Sequence, residues 1–395
     1  MVRIVREEYL GQLKSLVKTP DIKVITGIRR CGKSWLMADF IKWLKEYDPL
    51  SNIVFINLQD LQFESLKAYR TLNDYVMKRY QSDRNNYLVI DEVQLCESFE
   101  LAINSIHSGG LFDIYITGSN AFLLSSDLLT LFTGRTINVE VFPFSFNEFI
   151  RYFALENPED ALDRYMLEGG MPGSYPYQNK NQKYQYIRDI FQTIILRDLV
   201  QKYAVRNIDV LEKLAYFMMD NIGNLCSANS LTNQLFESKT ESSRVTVRDY
   251  IKYLCNAFVF YEARRFDLRG KAYLKSTEKY YLADHGFRFA TLGTRNMDYG
   301  RVYENMVYIE LLRRGYEVYV GKIQDKEVDF VATKQSEKYY IQVSDDVSRQ
   351  ETINRELAPL LAINDAYPKI IIARTRHETY QIDGVKIINL ADWLN

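Results

Sequence analysis

Short apolar runs alternate with amphipathic stretches through the first third of the chain. IKVIT (22–26), NIVFINL (52–58), YLVID (87–91) and FDIYIT (112–117) are rich in β-branched and aromatic residues, as expected of buried strands. Between them, SWLMADFIKWLKEY and SLKAYRTLNDYVMKRY place apolar residues at helical spacing. Strands alternating with helices predict a parallel sheet over residues 1–145. From 146 the strand pattern stops, and SFNEFIRYF and KYQYIRDIFQTIILRDLVQKY predict a helical section over 146–206. Within it, EGGMPGSYP (168–176) holds three glycines and two prolines and reads as a hinge or junction. Over 207–290, three helices joined by polar turns precede FVFYEARRFDLRGKAYLKSTEKYYLAD, a strand, a basic turn and returning strands. That is the order of a winged helix-turn-helix, with Arg244, Arg248 and Lys252 on its third helix. Over 298–395 the α/β pattern returns, with a helix through YENMVYIELLRRG and strands YEVYV, EVDFVAT, KYYIQVS and KIIIAR.

The turn after the first strand carries chemistry. GIRRCGKS (27–34) matches G-x-x-x-x-G-K-[ST] between a predicted strand and a predicted helix, the context in which such a loop binds phosphate. Glycines let the backbone curl until several N–H groups converge, and the helix N-terminus adds its positive end. Gly27, Arg30, Gly32, Lys33, Ser34 and Trp35 are the expected nucleotide contacts, with Lys33 on the β- and γ-phosphates and Ser34 on Mg²⁺.

A second strand ends in two carboxylates, YLVIDEVQ (87–94). Asp91 is expected to hold Mg²⁺ with Ser34, and Glu92 to orient and deprotonate the attacking water. FDIYIT runs into GSN (118–120), where Thr117, Ser119 and Asn120 are candidates to sense the γ-phosphate. Arg135, in TGRT, is a candidate arginine finger, in cis or from a neighbouring subunit, with Arg29 and Arg30 as rivals.

GIRRCGKS, YLVIDEVQ, YITGSN, LFTGRT, VFPFSFNEF and EGGMP together resemble the AAA-like ATPases of the archaeal-ATPase type, in which a conserved domain of unknown function follows the ATPase core. The resemblance covers nearly the whole chain. It implies ATP and Mg²⁺, a helical lid, a winged helix and a C-terminal module related to PD-(D/E)XK nucleases. The expected fold is therefore α/β, a P-loop NTPase parallel sheet followed by the lid, the winged helix-turn-helix and a restriction-nuclease-like domain.

Charge refines this picture. Lys plus Arg is 50 and Asp plus Glu is 51, a net charge of -1, which excludes a chain that coats nucleic acid by bulk charge. Between 264 and 279, however, Arg264, Arg265, Arg269, Lys271, Lys275 and Lys279 face only Asp267 and Glu278. A basic wing of this kind suits phosphate-backbone contact and makes DNA the expected partner. In the last section Glu304, Asp329 and Gln342 stand where a nuclease of this type needs its metal ligands, but an amide replaces a carboxylate and Ser344 occupies the lysine position. Lys322 or Lys326 could serve from a neighbouring strand; a degenerate fold kept for binding is the expectation.

No apolar run approaches the ~18 residues of a membrane span, and MVRIVREEYL lacks the apolar core of a signal peptide. Four cysteines and three histidines without metal spacing complete the profile of a reduced, cytoplasmic protein. The expected function is an ATP-driven switch or motor acting on nucleic acid, assembled as a homo-oligomer if Arg135 acts in trans. A signalling or scaffold ATPase and an ATP-gated nuclease are the competing readings.

Overall fold

The computed structural model describes residues 3–118, 132, 134–236, 240–270, 272–294 and 298–395, with backbone alone over 272–276. Two compact units form, residues 1–142 with 256–258 and residues 143–255 with 259–395.

In the first unit, α1 (Glu7–Ser15) precedes strands β1 (Ile22–Thr26), β2 (Asn52–Asn57), β3 (Asn86–Asp91), β4 (Asp113–Thr117) and β5 (Thr136–Glu140). The sheet order is β2-β3-β4-β1-β5, and each pairing is parallel. Alternation assigns the two faces. Tyr115 meets Phe40 of α2 (Lys33–Tyr47), with ring centroids 4.6 Å apart. Its neighbours Ile114 and Ile116 join Leu72 and Val76 of α3 (Tyr69–Met77) and Ile103 and Ile106 of α4 (Phe99–Ser108) in a core on the opposite face. The lysine inside IKVIT is buried as well; its Nζ lies 2.5 Å from Asp113 Oδ1 and 2.6 Å from the Thr19 carbonyl. Strand β5 has no strand signal of its own, because TINVE is half polar. It is held by pairing along the whole of β1, from Ile22–Thr136 to Thr26–Glu140.

The second unit opens with helices α5 (Phe146–Phe153), α6 (Pro158–Glu168) and α7 (Lys180–Gln192). A capping box starts α5, in which Ser145 Oγ accepts from Glu148 N and Glu148 Oε2 accepts from Ser145 N. Helix α7 runs on through a wider turn, Thr193–Leu199, to Tyr203. Next come α8 (Ile208–Asp220), β6 (Leu225–Cys226), α9 (Ala228–Leu235), α10 (Glu241–Asn256), β7 (Phe260–Asp267) and β8 (Ala272–Leu282). After α11 (Gly286–Leu292) and α12 (Tyr299–Arg313) the chain adds β9 (Glu317–Ile323), β10 (Lys326–Lys334), β11 (Glu337–Ser344), α13 (Gln350–Leu361), β12 (Lys369–Ala373), β13 (Tyr380–Ile382) and β14 (Val385–Asn389).

These strands make one nine-stranded sheet in the order β13-β14-β12-β11-β10-β9-β7-β8-β6. Arg265, Phe266 and Asp267 of β7 pair in parallel with Val320, Gly321 and Lys322 of β9. The hairpin read as a wing and the strands read as a separate C-terminal domain therefore share a backbone ladder. Helix α12 is buried continuously from Val302 to Leu311. Asn305 on it satisfies the end of β8, accepting from Leu282 N at 2.7 Å and donating to the Leu282 carbonyl at 2.9 Å. Among the described residues no helix is long and apolar enough to cross a membrane.

The glycine-rich segment is a tied junction rather than a free hinge. Asp284 Oδ2 accepts from Gly170 N at 2.5 Å and its Oδ1 from Gly286 N at 2.7 Å, while Phe144 N donates to the Gly170 carbonyl at 2.7 Å and Tyr175 Oη to the Gly169 carbonyl at 2.9 Å. Gly169 has φ +70°, and a Cβ there would lie 2.1 Å from Asp284 Oδ1 and 2.8 Å from Gly286 Cα. Gly293 has nearly the same angle, φ +71°, with nothing within 4 Å of its would-be Cβ. Gly293→Ala should then cost about 1 kcal/mol of backbone strain, and Gly169→Ala about 3 kcal/mol because steric overlap is added. Urea denaturation of the two variants measures the difference, and equal losses would show that the junction has room to adjust.

Candidate active site

The glycine loop leaves β1 at its last residue and turns directly into α2. Gly27 adopts φ +135°, and a Cβ there would lie 2.1 Å from the Val141 carbonyl oxygen, so the turn excludes any side chain. Gly32, at φ +108°, has open space where its Cβ would be, and it serves as the N-cap of α2. No side chain caps this helix and no acidic residue stands in its first turn. Its first N–H groups and positive dipole end are therefore left for an anion. Lys33 is buried; its Nζ donates to the Gly27 and Ile28 carbonyls at 2.8 and 3.1 Å and lies 3.8 Å from Cys31 Sγ. Among the described residues no carboxylate pairs with it. The cradle and its uncompensated cation fit a polyphosphate. Ser34, Trp35 and Arg30 are exposed at the same turn, and the Arg3 guanidinium stands 5.0 Å from the Trp35 ring centroid.

Parallel register brings the second motif to this edge. Strand β4 lies between β1 and β3, with Thr117 opposite Ile25, so Asp91 at the end of β3 is two strands, about 10 Å, from the start of the loop. Thr117 Oγ1 donates to Asp91 and accepts from Glu92 N at 3.1 Å. Thr117, a candidate phosphate sensor, thus ties the two carboxylate residues together. Glu92 leaves the strand in the left-handed region, φ +57°, a conformation costing a non-glycine residue about 1 kcal/mol or more. Gln94 Nε2 donates to the Glu92 carboxylate. Ser119 and Asn120 lie outside the described residues.

Arg135 is at the other end of the sheet. Its carbonyl accepts from Ile22 N at 2.8 Å at the beginning of β1, whereas the loop departs from Thr26, about 13 Å further along the strand. Sequence reasoning missed Arg6. It is buried and donates to the Cys31 carbonyl at 3.1 Å and the Phe142 carbonyl at 2.8 Å, bracing the loop from behind. A lone arginine before a helix carries no motif that could have announced this.

The basic stretch of the second unit is engaged internally only in part. Arg244 lies 3.1 Å and Arg248 3.9 Å from Glu241, and Arg264 lies 3.0 Å from Glu262. Arg265 donates to Thr277 Oγ1 at 3.0 Å and approaches Glu327 at 4.0 Å, and Arg269 faces the Gln324 amide. Lys252 is exposed, and Lys271 lies outside the described residues. Lys279, counted in sequence with the basic wing, is buried.

Glu304, Asp329 and Gln342 do come together. Gln342 Oε1 accepts from Asp329 N at 2.6 Å, Asp329 Oδ2 accepts from Val343 N at 2.8 Å, and Gln342 Nε2 donates to Glu356 at 3.0 Å. The lysine that reaches Glu304 is neither Lys322 nor Lys326 but Lys279 of β8, whose Nζ is 2.9 Å from Glu304 Oε1 and 2.8 Å from Glu327 Oε1. Burial opposes its charge, but Glu304, Asp329 and Glu327 outweigh burial and hold its pKa above the ordinary lysine value. Burial, then repulsion from Glu304, pushes the Asp329 carboxyl well up.

Residues 19–150 match the model of an AAA domain and residues 159–298 that of a domain of unknown function. An uncharacterized protein of Haemophilus influenzae is 35% identical over 396 residues, spanning 99% of this chain and 98% of its own. An uncharacterized protein of Methanocaldococcus jannaschii is 27% identical over 94% of this chain and 85% of its own. Among solved structures, AMPPCP-bound DnaA from Aquifex aeolicus aligns with 64% of this chain and 88% of its own at 16% identity and a TM-score of 0.34. The Aeropyrum pernix ORC1 protein in complex with DNA aligns with 79% of this chain and 94% of its own at 12% identity and a TM-score of 0.32.

The glycine loop makes its own demand. Gly27→Ala should abolish binding of a fluorescent ATP analogue, because the loop must open to relieve the contact with Val141. Anisotropy titration checks this, and undiminished affinity would mean that the loop does not need the turn as built.

Proposed function

The chain belongs to the family of the Haemophilus influenzae protein, with an AAA domain followed by a domain of unknown function, and on that premise we propose that it binds and hydrolyses ATP as a switch or motor acting on nucleic acid. One observation carries the ATP reading: the buried Lys33 ammonium, bonded only to neutral acceptors, beside an uncapped helix N-terminus. The β- and γ-phosphates of ATP supply the missing negative charge, with Gly27, Gly32 and the first N–H groups of α2 around them.

Ser34 and Asp91 are the residues to hold Mg²⁺, which when bound offsets charge on the phosphates. Glu92 takes a proton from water as the water oxygen bonds to the γ-phosphorus and the bond to the β–γ bridging oxygen breaks, giving ADP and phosphate. Gln94 and Thr117 hold Glu92 and Asp91 for this work. Because Arg135 is at the far end of its own sheet, its finger role is proposed between subunits of a homo-oligomer.

The order α8, β6, α9, α10, β7, β8 supports a winged helix-turn-helix, and exposed Lys252 and Arg264 are its available cations toward DNA phosphates. The internal bonding of Arg265 and the burial of Lys279 favour a second reading, in which this surface docks a protein partner. In the nuclease-like module both ends of the Gln342 amide are taken up by Asp329 N and Glu356, which supports binding without cleavage.

Lys33→Ala should weaken ATP binding severely, whereas Glu92→Gln should bind ATP and retain it; wild-type turnover in Glu92→Gln would remove Glu92 as the base. Thr117→Val should lower kcat about tenfold to a hundredfold with ATP affinity little changed, as expected when orientation of catalytic groups is loosened. ATPase rates with and without duplex and single-stranded DNA test the partner, and rates indifferent to both would favour the protein-docking reading. Plasmid DNA should stay intact with Mg²⁺ or Mn²⁺, with or without ATP.

A further inference from the structure

The second unit buries a group of charges that the ATPase reading does not use. Glu304 comes from α12, Glu327 and Asp329 from β10, and Lys279 from β8, so three separate elements of the chain supply them. Lys279 and Glu304 are buried, and Glu327 is about a third exposed, with its side chain 32% accessible. Tyr281, two residues along β8 on the same face, donates to Glu304 Oε1 at 2.5 Å. Gly223 leaves little room behind the carboxylate, since a Cβ there would lie 3.0 Å from Glu304 Oε2.

The place a metal would take among these carboxylates is filled by an ammonium, which donates to carboxylates at about 2.7–2.9 Å. Lys279 Nζ stands 2.9 Å from Glu304 and 2.8 Å from Glu327. Among the described residues no three His, Cys, Asp or Glu side chains are placed to share a metal ion. The metal that a nuclease-like module implies does not fit this donor set, and the amide of Gln342 adds no charge toward one.

We propose that the Lys279 ammonium is the resident cation of the Glu304–Glu327–Asp329 cluster, occupying the place of a divalent metal and joining the hairpin β7–β8 to the helix α12 and strand β10. The module is then a metal-independent scaffold with a built-in counter-ion. Glu304 and Glu327 then serve as partners of the lysine, without any requirement for catalysis. Nothing in this inference depends on ATP being bound or hydrolysed.

The test uses the full chain with Asp91→Asn, which removes the carboxylate metal ligand of the nucleotide site and leaves Ser34, and compares it with and without Lys279→Ala. That second change deletes three carbons and the ammonium, the atoms of n-propylammonium. Losing one partner of a buried charge group should lower Tm by about 10 °C. Adding n-propylammonium should recover a substantial part of the loss, while n-propanol, of similar shape but uncharged, should not; neither should move the Tm of the chain that keeps Lys279. Should Lys279→Ala fail to fold, refolding in n-propylammonium against refolding in n-propanol, read by circular dichroism, makes the same comparison. Recovery with both additives, or with neither, overturns the proposal, because the site would then need bulk or nothing rather than a cation. Electron paramagnetic resonance of Mn²⁺ gives a second readout. The chain with Lys279 should leave Mn²⁺ free, and bound Mn²⁺ that disappears in Asp329→Asn would overturn the proposal.

Discussion

Removing an ammonium group from water costs several kcal/mol unless a counter-charge goes with it. Four lysines are buried among the described residues: Lys23, Lys33, Lys183 and Lys279. Lys23 lies against Asp113, Lys183 against Glu168, and Lys279 against Glu304 and Glu327. Lys33 has carbonyls and a sulfur. The same constraint that gives three of these lysines a carboxylate leaves the fourth without a counter-charge among the described residues. The glycine turn, the uncapped helix and the strand-end carboxylates are arranged around that one unmet charge.

The sheet translates this local imbalance into a site. Parallel strands deliver their last residues to a common edge, so Thr26, Asp91 and Thr117 arrive side by side although they are far apart in sequence. Thr117 then couples the strands chemically, by bonding both to the Asp91 carboxylate and to the Glu92 amide. The one hydroxyl thus donates to the first of these residues and accepts from the second, which orients both.

Much of the first unit was legible because its signals are local. A buried parallel strand needs a continuous apolar run, and IKVIT and YLVID announce β1 and β3 to within a residue. The glycine loop is legible for the same reason, as eight consecutive residues define it. Strand β5 was not, since TINVE owes its conformation to the neighbouring β1. In the second unit the decisive contacts join positions distant in sequence: Asp284 to Gly170, Arg265 to Val320, Lys279 to Glu304. Glycines and prolines in EGGMPGSYP signal an unusual backbone, but not whether it is loose or tied. Lysine in a basic run likewise reads as surface until the fold shows which way its strand faces. The helix and strands carrying Glu304, Asp329 and Gln342 were recognisable, while the cation that serves them sat in a segment assigned to another domain.

The ladder between β7 and β9 has a consequence for how this half of the chain can be divided. A segment that begins after β8 would carry β9 with one edge stripped of its partner, and bare strand edges invite pairing with other chains. The same cut would leave Glu304 and Glu327 without their ammonium. Separation at that point would thus yield two sticky fragments instead of two portable modules.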